Sequence, residues 1–311
     1  MITFRDDTRT SSASTPAVPF PDIALGGIFL YLPFVKYCTP RNKGQSAATQ
    51  VAVVEAGGLR VARFVLVHGA WHGAWCWDAL ARRLRAAGHA VAAPELPGHG
   101  AGSALWWRAS LGSYARCVLA AAHAVDGNVI AVGHSLGGLV ITEAAARQPA
   151  AFSGLVYLCA FAPLPGENLL SLARRDAEGG VPGAVRRGLM RTSFRTERAA
   201  DVFYNRCTPE NTAEASARLT PEPNLPTLQR VSTPSRPLPP RAYIECLEDR
   251  AISLTHQRWM HGRAGITRVL SLDADHSPFL SAIEPLTTAL DTLATEFANT
   301  GSPTFASGWP L

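Results

Sequence analysis

One serine has the sequence context of a catalytic nucleophile. Ser135 lies in the motif Gly133-His134-Ser135-Leu136-Gly137, between a short apolar run, Val129–Val132, and a segment with helical spacing, Leu136–Arg147. The flanking glycines allow a strand and a helix to approach closely around a strained turn, which exposes the serine hydroxyl above a sheet. The helix start also places partial positive charge beside a developing anion. The pattern predicts a nucleophilic serine at a strand–turn–helix elbow.

A histidine further along the chain is the predicted base, because a serine hydroxyl is a poor nucleophile without one. His276 follows an apolar strand pattern within the loop-like segment Leu272–Pro278. His134 adjoins the serine, but its side chain should diverge from it across a tight turn. His256 and His261 lie on a predicted helix and are expected at the surface. We therefore predict that His276 accepts the serine proton.

The third member must be a carboxylate that fixes the tautomer of the imidazole and stabilises the imidazolium. Asp249 comes shortly after the predicted strand Arg241–Cys246 and is the predicted residue. Glu248 is the alternative beside it. Asp273 and Asp275 stand too close in sequence to the base to aim easily at its Nδ1 atom.

Two backbone amides are expected to form an oxyanion hole. One belongs to Leu136, the residue after the nucleophile. The other belongs to Ala70, in the loop His68-Gly69-Ala70-Trp71 after the first apolar strand. Gly69 allows the chain to turn so that the next N–H faces the substrate. We expect His68 to pack beneath this loop rather than to act as a base.

The elements around these residues alternate between strand and helix. The predicted strands are Phe64–Gly69, Ala90–Ala93, Val129–Val132 and Gly154–Ala160, and the helices between them are Trp77–Ala87, Leu111–Ala124 and Leu136–Arg147. The alternation resumes later with strands Arg241–Cys246 and Thr267–Leu272 and helices Thr255–His261 and Pro285–Ala298. This pattern predicts an α/β protein with a mostly parallel central sheet flanked by helices.

The chain divides into regions of different composition. We predict a core from residues 61–162 and 241–298, an inserted helical cap at 163–240, and an irregular tail at 299–311. Residues 1–60 are expected to form an N-terminal extension, disordered over its Ser-, Thr- and Pro-rich first part. Its uncharged stretch Ile23–Val35 is shorter than the roughly 20 residues of a spanning helix. Acidic residues precede that stretch, which favours a surface extension or an upstream start codon over a signal peptide.

The charge and cysteine content of the chain limit the classes of ligand and partner that we expect. Among 311 residues, 29 basic and 24 acidic side chains give a net charge of +5. No basic run is interleaved with aromatic residues, so we predict no nucleic-acid partner. The six cysteines form no CxxC pair, which argues against zinc and favours reduced thiols in a cytoplasmic protein. We expect no cofactor, no metal and no membrane span, and a monomer or homodimer.

Several motifs together resemble one family. They are FVLVHGAWHGAWCW (64–77), ELPGHG (95–100), GHSLGG (133–138), FYNRCTPE (203–210) and YIECLEDRAI (243–252). From about residue 63 to 295, the chain is similar to the plant methylesterase and hydroxynitrile lyase family and its bacterial relatives. This resemblance implies an α/β-hydrolase fold, a triad of Ser135, Asp249 and His276, and an oxyanion hole from the amides of Ala70 and Leu136.

The resemblance also bears on the reaction. Hydroxynitrile lyases of that family typically carry Thr or Asn at the position of Gly69 and often Lys at that of Ser277, and both departures favour an esterase. Trp71 stands where many plant members have a small residue, so the substrates of the plant enzymes are not assumed. Some bacterial relatives hydrolyse synthetic esters such as pyrethroids.

We predict hydrolysis of small to medium, partly apolar esters of the methyl or aryl type, with a small-molecule ester as the partner. The alternatives are a C–C lyase of the hydroxynitrile lyase type and a low-turnover binding or receptor protein on the same fold. Amide or lactone hydrolysis would use the same machinery and is not separated from ester hydrolysis by the sequence.

Overall fold

A six-stranded sheet forms the centre of the protein. The computed structural model describes residues 61–125 and 128–300. In these residues the strand order is β2-β1-β3-β4-β8-β9, and each pair of neighbours is parallel. The sequence predicted this mostly parallel sheet. Its predictions for residues 1–60 and 301–311 lie outside the described residues.

The elements follow one another in the order expected for a sheet covered on both faces. The strands are β1 (Arg63–Val67), β2 (Ala90–Ala92), β3 (Val129–His134), β4 (Gly154–Leu158), β5 (Val185–Arg187), β6 (Arg191–Phe194), β7 (Glu222–Pro223), β8 (Arg241–Cys246) and β9 (Arg268–Leu272). The helices are α1 (Asp78–Ala86), α2 (Leu111–Ala124), α3 (Gly137–Arg147), α4 (Leu169–Ala173), α5 (Val181–Ala184), α6 (Ala199–Val202), α7 (Pro209–Ala217), α8 (Asn224–Leu228), α9 (Leu254–Arg263), α10 (Pro278–Ser281) and α11 (Ile283–Thr300).

Alternate residues of the central strands enter two separate apolar layers, as the two-residue period of a strand requires. In β1, Val65 and Val67 join one layer and Phe64 and Leu66 join the other. Helices α2, α3 and α9 cover the first layer, and α1 and α11 cover the second. None of the helices in the described part of the chain is long and apolar enough to cross a membrane.

Local signals fix several helix ends. Ser110 and Ser113 form a reciprocal capping box at the start of α2, which satisfies two backbone groups that would otherwise lack partners. Gly88 follows α1 with φ of +91°, the left-handed conformation expected of a glycine that ends a helix. The predicted bounds of α2 and β8 agree with the structure.

The segment between β4 and β8 leaves the central sheet and returns to it, since these two strands are neighbours with Tyr157 opposite Tyr243. We call residues 163–240 the inserted segment. It contains α4 to α8, as the predicted helical cap implied, but also an antiparallel sheet of β5, β6 and β7. The sequence missed these strands because they are two to four residues long and mostly polar or exposed.

Other differences from the predictions lie at element ends. The 3₁₀ helices Ala74–Trp77, Gly100–Arg108 and Pro149–Ala151 were not predicted. The last helix reaches Thr300, so residues 299 and 300 are helical rather than part of an irregular tail.

Candidate active site

The elbow around Ser135 connects β3 to α3 through a sharp turn. Ser135 has φ of 53°, a left-handed conformation that a non-glycine residue adopts only when its surroundings hold it there. A Cβ atom on Gly133 would lie 2.4 Å from the carbonyl oxygen of Gly137, and one on Gly137 would lie 2.5 Å from that of Val67. Both glycines are therefore required for strand and helix to approach this closely.

The imidazole of His276 is bonded to the carboxylate of Asp249. Nδ1 of His276 lies 2.8 Å from Oδ2 of Asp249, and both side chains are buried. Because a carboxylate only accepts, Nδ1 carries the hydrogen and Nε2 is left to accept one. Oδ2 of Asp249 also accepts from the amide of Gln257, while Oδ1 accepts from the N–H groups of Ala251 and Ile252. These bonds fix the direction of the carboxylate.

The other acidic residues near this base have different partners. The carboxylate of Asp275 is buried and accepts from the N–H groups of Arg206 and Ser277 and from the hydroxyl of Ser281. It thus ties the inserted segment to the loop that carries the base. Glu248, the alternative third member, is exposed.

Two other histidines near Ser135, His134 and His68, form hydrogen bonds to backbone groups. Nε2 of His134 donates to the carbonyl oxygen of His276 at 2.8 Å. Nδ1 of His68 donates to the carbonyl of Gly69, and its Nε2 accepts from the N–H of Leu96. Burial lowers the pKa of both imidazoles well below the usual value, so both are neutral. They are positioned as structural supports of the two loops.

The prediction that His256 lies at the surface is wrong. Its side chain lies in α9, is only 5% exposed and stacks on Trp259. Ser253, which caps α9, donates to the carboxylate of Asp176 through both its N–H and its hydroxyl. The inserted segment therefore covers the start of α9, which the helical pattern alone could not reveal. His261 is half-buried.

The two predicted oxyanion amides lie on adjoining segments. A Cβ atom on Gly69 would lie 2.8 Å from Cβ of Ser135, so the loop containing Ala70 lies directly against the elbow. Among the hydrogen bonds formed between described residues, none uses the N–H of Ala70 or that of Leu136 as donor. This leaves both N–H groups without an acceptor among the described residues.

Trp71 anchors this loop to the inserted segment in a way that the sequence did not signal. Its φ of 60° is left-handed, which is rare for a bulky residue. Its N–H donates to Oε2 of Glu222 at 3.3 Å, and its carbonyl accepts from the N–H of Thr220 at 2.8 Å. Its indole N–H donates to Oγ1 of Thr192 at 3.2 Å. All three partners are more than a hundred residues away in sequence, so no local pattern identifies them.

A mainly apolar cavity of about 60 Å³ opens onto Ser135 and His276. Core and inserted segment both contribute its walls, which include Phe161, Leu169, Val181, Phe203 and Ile252. Asp176 of the inserted segment also lines the cavity. Its carboxylate oxygens accept from the N–H of Gly179 and from the N–H and hydroxyl of Ser253. The hydroxyl of Ser135 and the imidazole of His276 thus face a cavity suited to an apolar ligand.

The base and two buried side chains next to it form a group of the residue types that can bind a metal ion. The ligand atoms of His134, Cys159 and His276 lie within 4.8 Å of one another. The thiol of Cys159 donates to the carbonyl oxygen of His276, the same oxygen that His134 contacts. Burial raises the pKa of this thiol well above its usual value, which favours the neutral form. His134 and Cys159 therefore form hydrogen bonds to the backbone of His276.

Comparison with known proteins agrees with this fold. Residues 64–289 match the family described as the alpha/beta hydrolase family, and the chain belongs to it.

Among individual relatives, the chain is 32% identical to the pyrethroid hydrolase of Sphingobium wenxiniae over 244 aligned residues. The alignment covers 75% of this chain and 87% of that protein. It is 32% identical over 253 residues to Methylesterase 7 of Arabidopsis thaliana, covering 76% and 97% of the two chains. The crystal structure of a pyrethroid hydrolase from Sphingobium faniae superposes with a TM-score of 0.69 at 29% identity, over 77% of this chain and 100% of that one. These relatives carry the names of ester hydrolases of the branch that the motifs indicated.

Proposed function

We propose that this protein is a serine esterase that hydrolyses carboxylic esters through an acyl-enzyme intermediate. The observation that carries the proposal is the meeting of Ser135 and His276 at one apolar cavity, with Nδ1 of the imidazole held 2.8 Å from the carboxylate of Asp249. The esterase names of the relatives support the same reaction class.

In the proposed mechanism, Nε2 of His276 takes the proton from Oγ of Ser135 as that oxygen attacks the ester carbonyl. The negative charge that develops on the carbonyl oxygen is stabilised by the N–H groups of Ala70 and Leu136. His276 then donates its proton to the departing alcohol. A water molecule, deprotonated by the same imidazole, then attacks the acyl-enzyme, and as the acyl–oxygen bond breaks the imidazolium returns this proton to Oγ of Ser135 and the acid is released. Asp249 stabilises the imidazolium in both halves.

The substrates we propose are uncharged, partly apolar esters of small to medium size. Apolar walls from Leu169, Val181 and Phe203 favour such groups over charged ones. Ligand sites usually enclose about 300–1,000 Å³, which is more than the present cavity provides. We therefore propose that residues 163–240 act as a cap, whose short helices α4 and α5 move apart to admit the ester.

The space around Gly69 disfavours the lyase alternative. Thr or Asn, which the lyases typically carry there, would place Cβ 2.8 Å from Cβ of Ser135 and 2.9 Å from Nδ1 of His134. Such contacts are shorter than side chains tolerate, so this backbone is shaped for glycine. This supports ester hydrolysis over cyanohydrin cleavage.

The test is a panel of esters that varies the acyl and alcohol groups, assayed on the wild type and on Ser135→Ala. We expect ester turnover in the wild type and a loss of at least about 10⁴-fold in the variant, as for other serine triads. A fluorophosphonate should label the wild type and not the variant. Full turnover by Ser135→Ala would refute the mechanism. Tight ligand binding with turnover far below about 1 per second on every ester would favour the binding-protein alternative.

A further inference from the structure

Glu222 is a buried carboxylate of the inserted segment that reaches beneath the loop of Ala70 and Trp71. It lies in β7, opposite Thr192 of β6, and is fully buried. Its Oε2 accepts from the N–H of Trp71 at 3.3 Å and faces Nε2 of His99 at 2.8 Å. Its Oε1 accepts from the hydroxyl of Tyr114 at 3.1 Å. A carboxylate so far from water is retained only when such partners compensate its charge.

His99 supplies the compensating charge. Burial by itself would lower the pKa of this imidazole, but the charge of Glu222 and the hydrogen bond to it raise the pKa above its ordinary value. Glu95 also acts to raise it, while the edge of the neutral His68 ring lies against the His99 ring. Tyr114 stays protonated because burial raises the pKa of its phenol. The carboxylate of Glu222 therefore has two buried side-chain partners, the imidazole of His99 and the phenol of Tyr114.

The hydrogen bond from Trp71 orients a single peptide group. Its N–H points to Glu222, and its carbonyl oxygen, which belongs to Ala70, accepts from Nδ1 of His72 at 2.9 Å. In a planar trans peptide these two groups point in opposite directions, so partners on both sides fix the plane. The plane fixed in this way sets the conformation of Ala70 and hence the direction of its own N–H.

We propose that Glu222 is a positioning residue for the oxyanion loop: its carboxylate holds the Ala70–Trp71 peptide so that the N–H of Ala70 faces the acyl oxygen of the substrate. The inserted segment then does more than cover the site, because it carries the group that sets one of the two oxyanion donors. This inference rests on the esterase function proposed above.

Two substitutions separate the reach of this side chain from its charge. Glu222→Gln keeps an oxygen at the same distance from the N–H of Trp71 but removes the charge. Glu222→Asp keeps the charge but withdraws the oxygens by about one C–C bond, 1.5 Å. We expect kcat of Glu222→Gln to stay within about threefold of wild type. We expect kcat of Glu222→Asp to fall roughly 10- to 100-fold, with KM nearly unchanged, because a displaced donor weakens transition-state stabilisation.

Glu143 provides the matched control. It is also buried and also joins the core to the inserted segment, through the N–H and hydroxyl of Ser232, but it does not contact the oxyanion loop. Glu143→Asp and Glu143→Gln should leave kcat unchanged. The rate of labelling by a fluorophosphonate, whose oxygen occupies the oxyanion hole, should follow kcat across all four variants.

The outcomes are distinct. A wild-type kcat in Glu222→Asp, a larger loss in Glu222→Gln than in Glu222→Asp, or a change confined to KM would overturn this inference while leaving the esterase proposal intact. A wild type that turns over no ester would overturn both. If Glu222→Asp does not fold, Glu222→Gln decides alone, and a fall in its kcat of more than about 10-fold refutes the positioning role.

Discussion

The two sides of the proposed oxyanion hole are built in opposite ways. The N–H of Leu136 belongs to the elbow, whose shape comes from glycines within a few residues and from the adjacent β1. The N–H of Ala70 belongs to a loop whose next residue, Trp71, is held by Thr192, Thr220 and Glu222 of the inserted segment. The first side depends on local chain geometry and on the central sheet, whereas the second also depends on the inserted segment. Within the proposed oxyanion hole, changes to the inserted segment should therefore act on the N–H of Ala70 rather than on that of Leu136.

The largest expected effect on ester turnover comes from a substitution of Gly133, which should distort the elbow that carries Ser135 and the N–H of Leu136. In Gly133→Ala the new Cβ would lie 2.4 Å from the carbonyl oxygen of Gly137, so strand and helix must separate. We expect ester turnover to fall by at least about 100-fold, because Ser135 and the N–H of Leu136 both move. Steady-state kinetics and a thermal melt would measure the change.

The control for this experiment is Gly262→Ala in α9, where nothing lies within 4 Å of an added Cβ. Its turnover should be unchanged, and its stability should rise by about 0.5–1 kcal/mol from better helix propensity. A Gly133→Ala protein with turnover within about threefold of wild type would show that the elbow tolerates separation.

The contact between the two sides can be tested at Gly69. In Gly69→Thr the added Cβ would press on Ser135 and His134, so the loop must move away from the elbow. We expect ester turnover to fall roughly 10- to 100-fold with no release of cyanide from aromatic cyanohydrins. Gly262→Thr is the matched control and should keep its turnover. Cyanide release by Gly69→Thr would instead show that this backbone can accept the residue type of the lyases.

The smallest expected effect is a pH dependence of stability that comes from His99 and Glu222, the pair that supports the loop of Ala70. Because the folded pKa of His99 is raised by Glu222, the folded protein binds more protons than the unfolded one above pH 6.5. The stability from this pair is fully present below pH 6.5 and is lost as pH rises through the folded pKa. His68 and His72 stay neutral in this range because burial lowers the pKa of both, that of His72 to about 4.

We therefore expect the free energy of unfolding of the wild type, relative to His99→Asn, to decline with rising pH above 6.5. The slope should be at most about 1.4 kcal/mol per pH unit, the value for one proton. Urea melts of both proteins at several pH values would measure it. Parallel stability curves for the two proteins would contradict the ion pair between His99 and Glu222.

Most of the core could be predicted from the sequence because its signals are local. Buried parallel strands appear as short apolar runs, and a serine between glycines at a strand–helix junction specifies the elbow. His276 and Asp249 were predictable as loop residues after strands. The structure added the bond that joins them and the separate role of Asp275 in holding Arg206.

The sequence by itself thus determined the α/β core and the turn at Ser135, and it predicted His276 and Asp249 as the accompanying side chains, because local patterns signal each of them. Only the tertiary structure decided the short strands of the inserted segment, the burial of His256 and the support that Glu222 gives to Trp71. The physical reason is that these features arise from contacts between segments far apart in the chain. The spacing of apolar residues and the local motifs do not indicate which carboxylate will form a hydrogen bond to which distant backbone N–H.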